Sequence, residues 1–390
     1  MRSISKGKTK SGCRTDRGLR AKATLSAAAV VAVSAAALTG GAAAQAAAPA
    51  AAAPHWQIVY RTSSATPGGL YSVTAPSKTD AWAAGSSGGQ PVIVNWNGKA
   101  WKSVRVPGTA GFQPVQSTAA DASWAGNVWL IGGVANSSVG QAHVWNGKSW
   151  RTIALPTVNF GASAVVSAAD VWGYPISSYG CYTVPGRTAC LYHWTGAKWT
   201  ETKIAGVYPT DMTAAGRHAW IFGLTDLRNP GSSNPSGIPV IYEGTSGALR
   251  KVPAPTARVQ SYDSIAAAPN GQLWVEASLA TAKAPATLFH WTGTRWTTTT
   301  IPQLVGGFLT DISGTMAYDG KSGVWVSPTL HWTGSTWLNT EGSIPSVGSF
   351  NLNAVAAIPG STSIWAAGAV SRTSTSSVDD PLVAGYGPLP

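Results

Sequence analysis

Charged residues are scarce in this chain: Asp, Glu, Lys and Arg make up 11% of its 390 residues. Basic residues outnumber acidic ones, but no run of Lys and Arg after residue 46 would favour nucleic acid as a partner. No apolar stretch beyond that point approaches the roughly 20 residues that a membrane helix needs. We therefore expect neither nucleic-acid binding nor membrane insertion.

Residues 1–46 have the composition of a secretory signal peptide. A basic stretch over 2–22 precedes an alanine-rich apolar run over 25–38, and Ala-Gln-Ala at 44–46 suits a cleavage site. Residues 47–54 are an alanine and proline tether, so the folded domain is predicted to span 55–390. Removing the leader leaves 19 basic and 14 acidic residues, a net charge of +5. The mature protein is predicted to be extracellular and secreted.

Cysteine is almost absent from the predicted mature chain, which keeps only Cys181 and Cys190. In an oxidising compartment these two are predicted to form a disulfide that fixes one long loop. Their spacing does not fit a CxxC metal or redox site. Tyr179 and Tyr182, beside the predicted disulfide, are candidate ligand contacts.

Tryptophan, in contrast, is abundant, and 18 of the 19 tryptophans fall into three recurring columns about 47 residues apart. The first column closes a short apolar strand and has seven members: Trp82, Trp129, Trp172, Trp220, Trp274, Trp325 and Trp365. The second and third columns lie five residues apart in a W-[N/T]-G-x-x-W turn: Trp96 and Trp101, Trp145 and Trp150, Trp194 and Trp199, Trp291 and Trp296, Trp332 and Trp337. Seven copies of one unit are therefore expected.

Each copy contains four short strand-like segments. Asn97-Gly98 and Asn146-Gly147 are strong hairpin signals, which make the third and fourth strands antiparallel neighbours. The seventh copy ends at Tyr386 without its third-column tryptophan, and Trp56 lies in an unassigned strand at the other end. The sequence thus predicts an all-β, seven-bladed β-propeller of four-stranded blades, the last closed by the N-terminal strand.

Two interpretations of the tryptophan columns compete: packing between blades, or platforms on which sugars stack. Recurrence at fixed spacing in every copy favours packing. His193, His290 and His331 recur at one repeat position and are interpreted as structural rather than as a metal cluster. Asp80, Asn127 and Asp170, each two residues before a first-column tryptophan, are expected to cap turns by bonding their local backbone.

The repeat resembles the Kelch type of β-propeller, because an apolar strand ending in glycine, as at Gly85, Gly223 and Gly368, precedes an aromatic, a turn and a tryptophan. Some Kelch-like propellers are copper-radical oxidases, whose chemistry needs a cysteine bonded to a tyrosine. The predicted disulfide argues against that chemistry here, because it uses both cysteines of the mature chain. The sequence also lacks the S-x-D-x-G-x-T-W box of sialidases. No cofactor and no catalytic residue are expected.

Loop lengths differ between the two faces of the predicted propeller. The hairpins after the third strand are constant, whereas the connections after the second strand vary, so the variable face is the expected binding face. Aligned starts of the innermost strands place Asp211, Asp263, Asp311 and Asn353 near the channel mouth on that face. Such oxygens could hold sugar hydroxyls or calcium, or each residue could simply cap its own strand.

These features favour a monomeric binding module that recognises a glycan or another cell-surface ligand through the variable face. One alternative is a scaffold for protein partners. Another is a carbohydrate-active hydrolase or lyase that uses the channel-mouth carboxylates as acid and base.

Overall fold

The computed structural model describes residues 53–63, 66–114, 121–124, 126–176, 189–228, 236–279, 285–302, 316–343, 350–371 and 379–390. For residues 113–114, 121–124, 260–263 and 350 it describes the backbone only. Among these residues, no helix is long and apolar enough to cross a membrane.

The described strands form seven antiparallel blades, and the chain begins with β1 (Trp56–Arg61). Blade 1 comprises β2 (Gly68–Ser77), β3 (Asp80–Ser87), β4 (Gln90–Trp96) and β5 (Trp101–Ser103). Blade 2 comprises β6 (Phe112–Pro114) and β7 (Asp121–Trp124), both paired with β8 (Asn127–Val134), then β9 (Gln141–Trp145) and β10 (Trp150–Ala154). Blade 3 comprises β11 (Phe160–Ser167), β12 (Asp170–Pro175), β13 (Ala189–Trp194) and β14 (Trp199–Ile204).

The remaining blades repeat this order from the innermost to the outermost strand. Blade 4 comprises β15 (Tyr208–Ala215), β16 (His218–Arg228), β17 (Ser236–Thr245) and β18 (Ala248–Val252). Blade 5 comprises β19 (Val259–Ala267), β20 (Leu273–Leu279), β21 (Thr287–Trp291) and β22 (Trp296–Thr300). Blade 6 comprises β23 (Ala317–Tyr318), β24 (Val324–Ser327), β25 (Leu330–Trp332) and β26 (Trp337–Asn339), followed by one turn of 3₁₀ helix at Glu341–Ser343. Blade 7 comprises β27 (Phe350–Ala357), β28 (Ile364–Ser371) and β29 (Asp379–Tyr386).

The N-terminal strand completes blade 7, as predicted. β1 pairs antiparallel with β29, and Trp56 lies directly opposite Tyr386. The Arg61 guanidinium donates two hydrogen bonds, of 3.1 and 2.9 Å, to Oδ2 of the buried Asp380. The two ends of the chain are therefore held together by a ladder, an aromatic pair and an ion pair.

The tryptophan columns pack one blade against the next, and this confirms the packing interpretation. The ring centroid of Trp82 in blade 1 lies 6.4 Å from that of Trp145 and 5.5 Å from that of Trp150 in blade 2. All seven first-column tryptophans are buried, with 6% exposure or less. The same contact closes the ring, because Trp365 of blade 7 packs on Trp96 and Trp101 of blade 1.

The hairpins between third and fourth strands have one local design. The two tryptophans lie opposite each other, as in Trp96 and Trp101, and Gly98 between them has a φ of 83°. The Asn97 carboxamide oxygen accepts hydrogen bonds of 3.1 Å from the amides of Lys99 and Ala100. Because only glycine adopts a positive φ without strain, this turn fixes the spacing of five that the sequence repeats.

The blade topology gives the ring two faces. One, here called the turn face, carries the turns between first and second strands and between third and fourth strands. The other, here called the variable-loop face, carries the connections between second and third strands and those from one blade to the next. The innermost strands start at the variable-loop face and end at the turn face.

Candidate functional site

The innermost strands share an irregularity near their start, at the mouth of the central channel. In five blades one residue there has no partner on the second strand, which is a β-bulge; these residues are Tyr71, Gly161, Thr210, Asp263 and Asn353. Each lies three residues before the residue paired with the first-column tryptophan. Bulges redirect side chains and are frequent beside binding sites.

Glycines on the second strand make room for three of these bulges. A Cβ placed on Gly85 would collide with the Gly69 carbonyl oxygen and lie 2.6 Å from Leu70 Cα. Gly368 stands in the same relation to Asn351 and Leu352. The glycines on which the Kelch resemblance rested are therefore explained by the close approach of two strands at the bulge.

Asp211 lies immediately after the bulge of blade 4 and is half-buried. Its Oδ1 accepts a 2.8 Å hydrogen bond from the amide of Met212. A second bond comes from the backbone amide of Ile265, on the innermost strand of blade 5. The carboxyl group therefore joins two neighbouring blades as well as capping its own strand.

The equivalent position of blade 5 performs the same task with a neutral side chain. Ser264 is buried, and its hydroxyl accepts a 2.8 Å hydrogen bond from the amide of Met316 in blade 6. At the ring closure, the Asn353 side-chain amide donates a 2.9 Å bond to the Leu70 carbonyl of blade 1. Polar side chains at the channel wall thus link blade to blade.

The structure corrects the register of the predicted cluster by one residue. Asp263 and Asn353 are bulge residues, but their counterpart in blade 4 is Thr210, so Asp211 corresponds to Ser264 instead. The reason is that the strands resume normal pairing after the bulge, which apolar alignment of the sequence could not locate.

Several predicted site residues lie outside the described part of the structure. Asp311, Tyr179, Tyr182 and Cys181 are among them, and only the backbone of Asp263 is described. Cys190 is buried on β13. The Cys181–Cys190 disulfide and the ligand contacts of both tyrosines remain predictions.

Asp211 has an unusual electrostatic environment. Burial raises the pKa of its carboxyl group to about 7, against the amide hydrogen bonds of Met212 and Ile265, which lower it. Tyr174 stands nearby: its hydroxyl donates a 2.5 Å hydrogen bond to the Thr210 carbonyl, and burial together with Asp211 raises its pKa. Asp211 can therefore change protonation state near neutral pH.

A second set of polar pairs lies on the turn face. The sequence did not predict that these residues pair with one another. Asp170 Oδ1 accepts bonds from the indole of Trp172, at 2.8 Å, and from His193 Nε2, at 2.9 Å. The histidine lies across the strands from that tryptophan, with ring centroids 4.4 Å apart. Asp80 bonds Trp82 and Asn95 in the same way. The prediction that these aspartates bond mainly their local backbone was incomplete, because their chief partners are side chains.

The pattern continues in other blades with different residues. Asp319 Oδ2 lies 3.0 Å from His331 Nε2, and in blade 4 the pair is exchanged, with His218 Nδ1 2.7 Å from Glu243 Oε1. Burial alone would raise the pKa of Asp170, but the bonds from His193, Ser246 and Trp172 hold it below its usual range. The available signal was the His-Trp dipeptide that recurs at 193, 290 and 331, although it follows an Asp-x-Trp only in blade 3. Among the described residues, no three His, Cys, Asp or Glu side chains converge on a metal site.

Comparisons with known proteins bear on the fold. No protein-family model and no curated protein matches the chain. Among solved structures it is similar to a catalytically inactive virginiamycin B lyase from Staphylococcus aureus with quinupristin, at 13% identity and a TM-score of 0.55, covering 86% of this chain and 100% of that one. It also resembles YCF48 from Cyanidioschyzon merolae, at 12% identity and a TM-score of 0.49, over 86% of this chain and 99% of that one.

A further similarity is to the six-bladed propeller lectin of Aleuria aurantia, described with a fucose recognition mode. Its identity is 12% and its TM-score 0.43, over 72% of this chain and 97% of that one. At such identities the lyase likeness shows the fold alone, and the two weaker likenesses carry no argument. The chain is a seven-bladed β-propeller, and its resemblance to the Kelch type stays a resemblance.

Proposed function

We propose that this protein is an exported binding module that recognises a glycan or another cell-surface ligand through its variable-loop face. The observation that carries the proposal is the polar and aromatic rim that the bulges create at the channel mouth. Export itself is inferred from the composition of residues 1–46.

The rim at the blade 7 to blade 1 closure offers two kinds of contact. Tyr71 is half-buried, and its hydroxyl lies 3.3 Å from Ser86 Oγ. A Cβ on Gly69 would lie 3.3 Å from the Tyr71 ring and 3.9 Å from Asn353 Nδ2, so the three residues adjoin. A tyrosine ring can cover an apolar sugar face, while hydroxyl and amide groups bond its hydroxyls.

Asn353 retains hydrogen-bonding capacity. Its Nδ2 is committed to Leu70, but its Oδ1 has no donor among the described residues. That oxygen can accept a bond from a ligand hydroxyl. Asp211, across the ring, already accepts two backbone amides, which favours a positioning role over acid-base catalysis and weakens the hydrolase or lyase alternative.

The test is a thermal-shift screen of the purified protein against cell-wall fragments, polysaccharides, simple sugars and calcium. A ligand at 100 times its Kd should add about 2.7 kcal/mol to the free energy of unfolding. Tyr71→Ala and Asn353→Ala should abolish the shift, whereas Tyr60→Ala, on the outer strand β1, should leave it intact.

Two outcomes would contradict the proposal. One is the absence of any shift across the panel, which would favour the protein-scaffold alternative and a search for protein partners. The other is a shift caused by an uncharged carbohydrate that persists in both rim variants, which would place the site elsewhere.

A further inference from the structure

Exposed lysines and arginines recur in the hairpin turns of the turn face. Six of the seven blades contribute at least one, and the residues are Lys78, Lys99, Lys148, Lys198, Arg217, Arg295 and Lys321. They are spread along the chain, so the sequence shows no basic cluster. The fold gathers them on one side of the molecule.

These seven cations are unpaired, as are Lys102, Arg105, Arg151, Arg228 and Lys251 elsewhere among the described residues. Among the described residues, none of the seven forms an ion pair, whereas Arg61, Lys203, Arg250 and Arg258 each contact a carboxylate. Their charge is therefore not neutralised within the protein.

The acids of the turn face do not offset this charge, because they are committed to inward partners. Asp170 is 8% exposed and bonds Trp172, His193 and the amide of Ser246. Asp319 is also 8% exposed and bonds His331 and two backbone amides. The outermost charged layer of this face is consequently cationic.

Contacts between turns show that the turn face is continuous around several blades. A Cβ on Gly216 would lie 3.1 Å from the Pro269 carbonyl oxygen of blade 5. One on Gly360 of blade 7 would lie 3.3 Å from Lys78 Cε of blade 1. The Ser246 amide of blade 4 bonds Asp170 of blade 3 at 3.1 Å. The cations thus belong to one surface.

The turns also fix the backbone from which their cations extend. Asn146 Oδ1 accepts 2.9 Å bonds from the amides of Lys148 and Ser149. In blade 3 the Thr195 hydroxyl donates a 3.1 Å bond to the Lys198 carbonyl oxygen and accepts a 3.4 Å bond from the Lys198 amide. A turn whose backbone is already ordered loses less entropy when it binds a ligand.

The chemistry around the cations identifies the kind of partner. The large apolar side chains exposed in the described residues are Val139, Ile176, Ile238 and Leu338, and none lies in these turns. Bilayer binding normally adds buried apolar groups to charge, so a membrane surface fits poorly. The turns instead supply hydroxyl and amide groups beside the cations, which suit sugar hydroxyls.

We propose that the turn face binds an acidic polysaccharide through this ring of cations. This site lies opposite the variable-loop face, so it is independent of the ligand site proposed above. A repeated, widely spread set of charges suits a polymer that carries at least one anionic group per sugar unit, because each contact is weak and several act together.

The experiment measures binding of the full chain to heparin and polygalacturonate, with neutral dextran as a control ligand. The test variant is Lys99→Glu/Lys198→Glu/Lys321→Glu. The matched control, Lys102→Glu/Arg105→Glu/Lys251→Glu, makes the same change in net charge with exposed residues outside the turns. Phosphatidylglycerol vesicles and duplex DNA test the other sources of negative charge.

We expect the wild type to bind both acidic polysaccharides but not dextran, more weakly as salt rises. The affinity of the turn variant should be lower by at least about tenfold. The slope of log affinity against log salt concentration should become shallower by roughly one for each lysine that contacts the polysaccharide. The control variant and Tyr71→Ala should bind as the wild type does.

Equal weakening in the two triple variants would overturn the proposal, because net charge alone would then explain the binding. It would also fail if the wild type bound neither polysaccharide at low salt, or bound vesicles and DNA as tightly. If Tyr71→Ala no longer binds the ligand of the variable-loop face but still binds heparin, the two sites are independent.

Discussion

Two ionisable groups, the buried His143 and the half-buried Asp211, should oppose each other in the pH dependence of stability between pH 4 and 6.5. His143 should make the free energy of unfolding rise with pH over this window, and Asp211 should make it fall. The wild-type protein is therefore expected to show little pH dependence there, and single variants should expose each contribution.

His143 is fully buried on β9, with its ring 4.7 Å from Phe112 and its Nδ1 3.2 Å from Thr152 Oγ1. Burial lowers its pKa from 6.5 to about 4. Below pH 6.5 the unfolded chain binds a proton that the folded protein refuses until about pH 4, so stability is lost as pH falls. The shift corresponds to about 3 kcal/mol over the window.

Asp211 has the opposite sign. Burial raises its pKa from 3.8 to about 7, so the folded protein keeps a proton that the unfolded chain has already released. Stability is therefore greatest at low pH and is lost as pH rises, by about 1.4 kcal/mol per pH unit. Tyr174 is the titratable group beside it, and burial together with Asp211 raises the pKa of that tyrosine, so it stays neutral throughout this window.

Two substitutions taken from neighbouring blades isolate these groups. His143→Phe introduces the residue that blade 5 has at this place, Phe289, and Asp211→Ser introduces the equivalent of Ser264. Urea unfolding at several pH values should show stability falling with rising pH in His143→Phe and rising in Asp211→Ser. The double variant should keep a small rise due to His290, whose pKa burial also lowers, and, near pH 4, to Asp170 and Asp319, whose pKa values lie below their usual range.

The reasoning fails if His143→Phe has the same pH profile as the wild type, because the histidine would then titrate normally. It fails for the aspartate if Asp211→Ser leaves the profile unchanged. A steep wild-type profile that neither variant alters would show that other groups control this window.

Two further predictions concern the architecture. Deleting residues 54–62 removes β1 with its buried Trp56 and should lower the free energy of unfolding, followed by thermal melting, by at least about 4 kcal/mol. Deleting residues 47–52 should leave it unchanged. Equal effects of the two deletions would refute closure of blade 7 by β1. Gly368→Ala should lower the free energy of unfolding by roughly 1 to 3 kcal/mol, because the new Cβ meets the Asn351 carbonyl oxygen. The control Gly342→Ala, with open space around it, should leave stability unchanged. Wild-type stability in Gly368→Ala would mean that the bulge can relax.

Much of the fold could be predicted from the spacing of tryptophans, because the constraint that produced it is local and repeated. Each W-[N/T]-G-x-x-W turn needs a positive-φ glycine and two aromatics opposite each other, as at Trp96, Gly98 and Trp101. Five copies contain this turn, and the seven members of the first tryptophan column predicted the number of blades. The tryptophan missing from the last repeat and the surplus Trp56 near the N-terminus predicted that the N-terminal strand β1 closes the last blade.

The candidate site could be predicted less well. The sequence placed Asp211 and Asn353 at the channel mouth, but it could not distinguish a bulge residue from its neighbour, because a bulge is defined by pairing with another strand. Nor could it show that Asp211 bonds an amide of the next blade, 54 residues further along the chain.

The sequence by itself thus determined the repeat, the blade and the order of the strands, since these follow from local turns and from apolar contacts between successive units. Only the tertiary structure decided which polar groups are buried and which are free. Asp170 and Asp319 are buried, whereas Lys99 and Lys198 are exposed to solvent, although all four lie in or beside turns. The physical reason is that burial and charge pairing depend on neighbours brought together by the ring, not on neighbours along the chain.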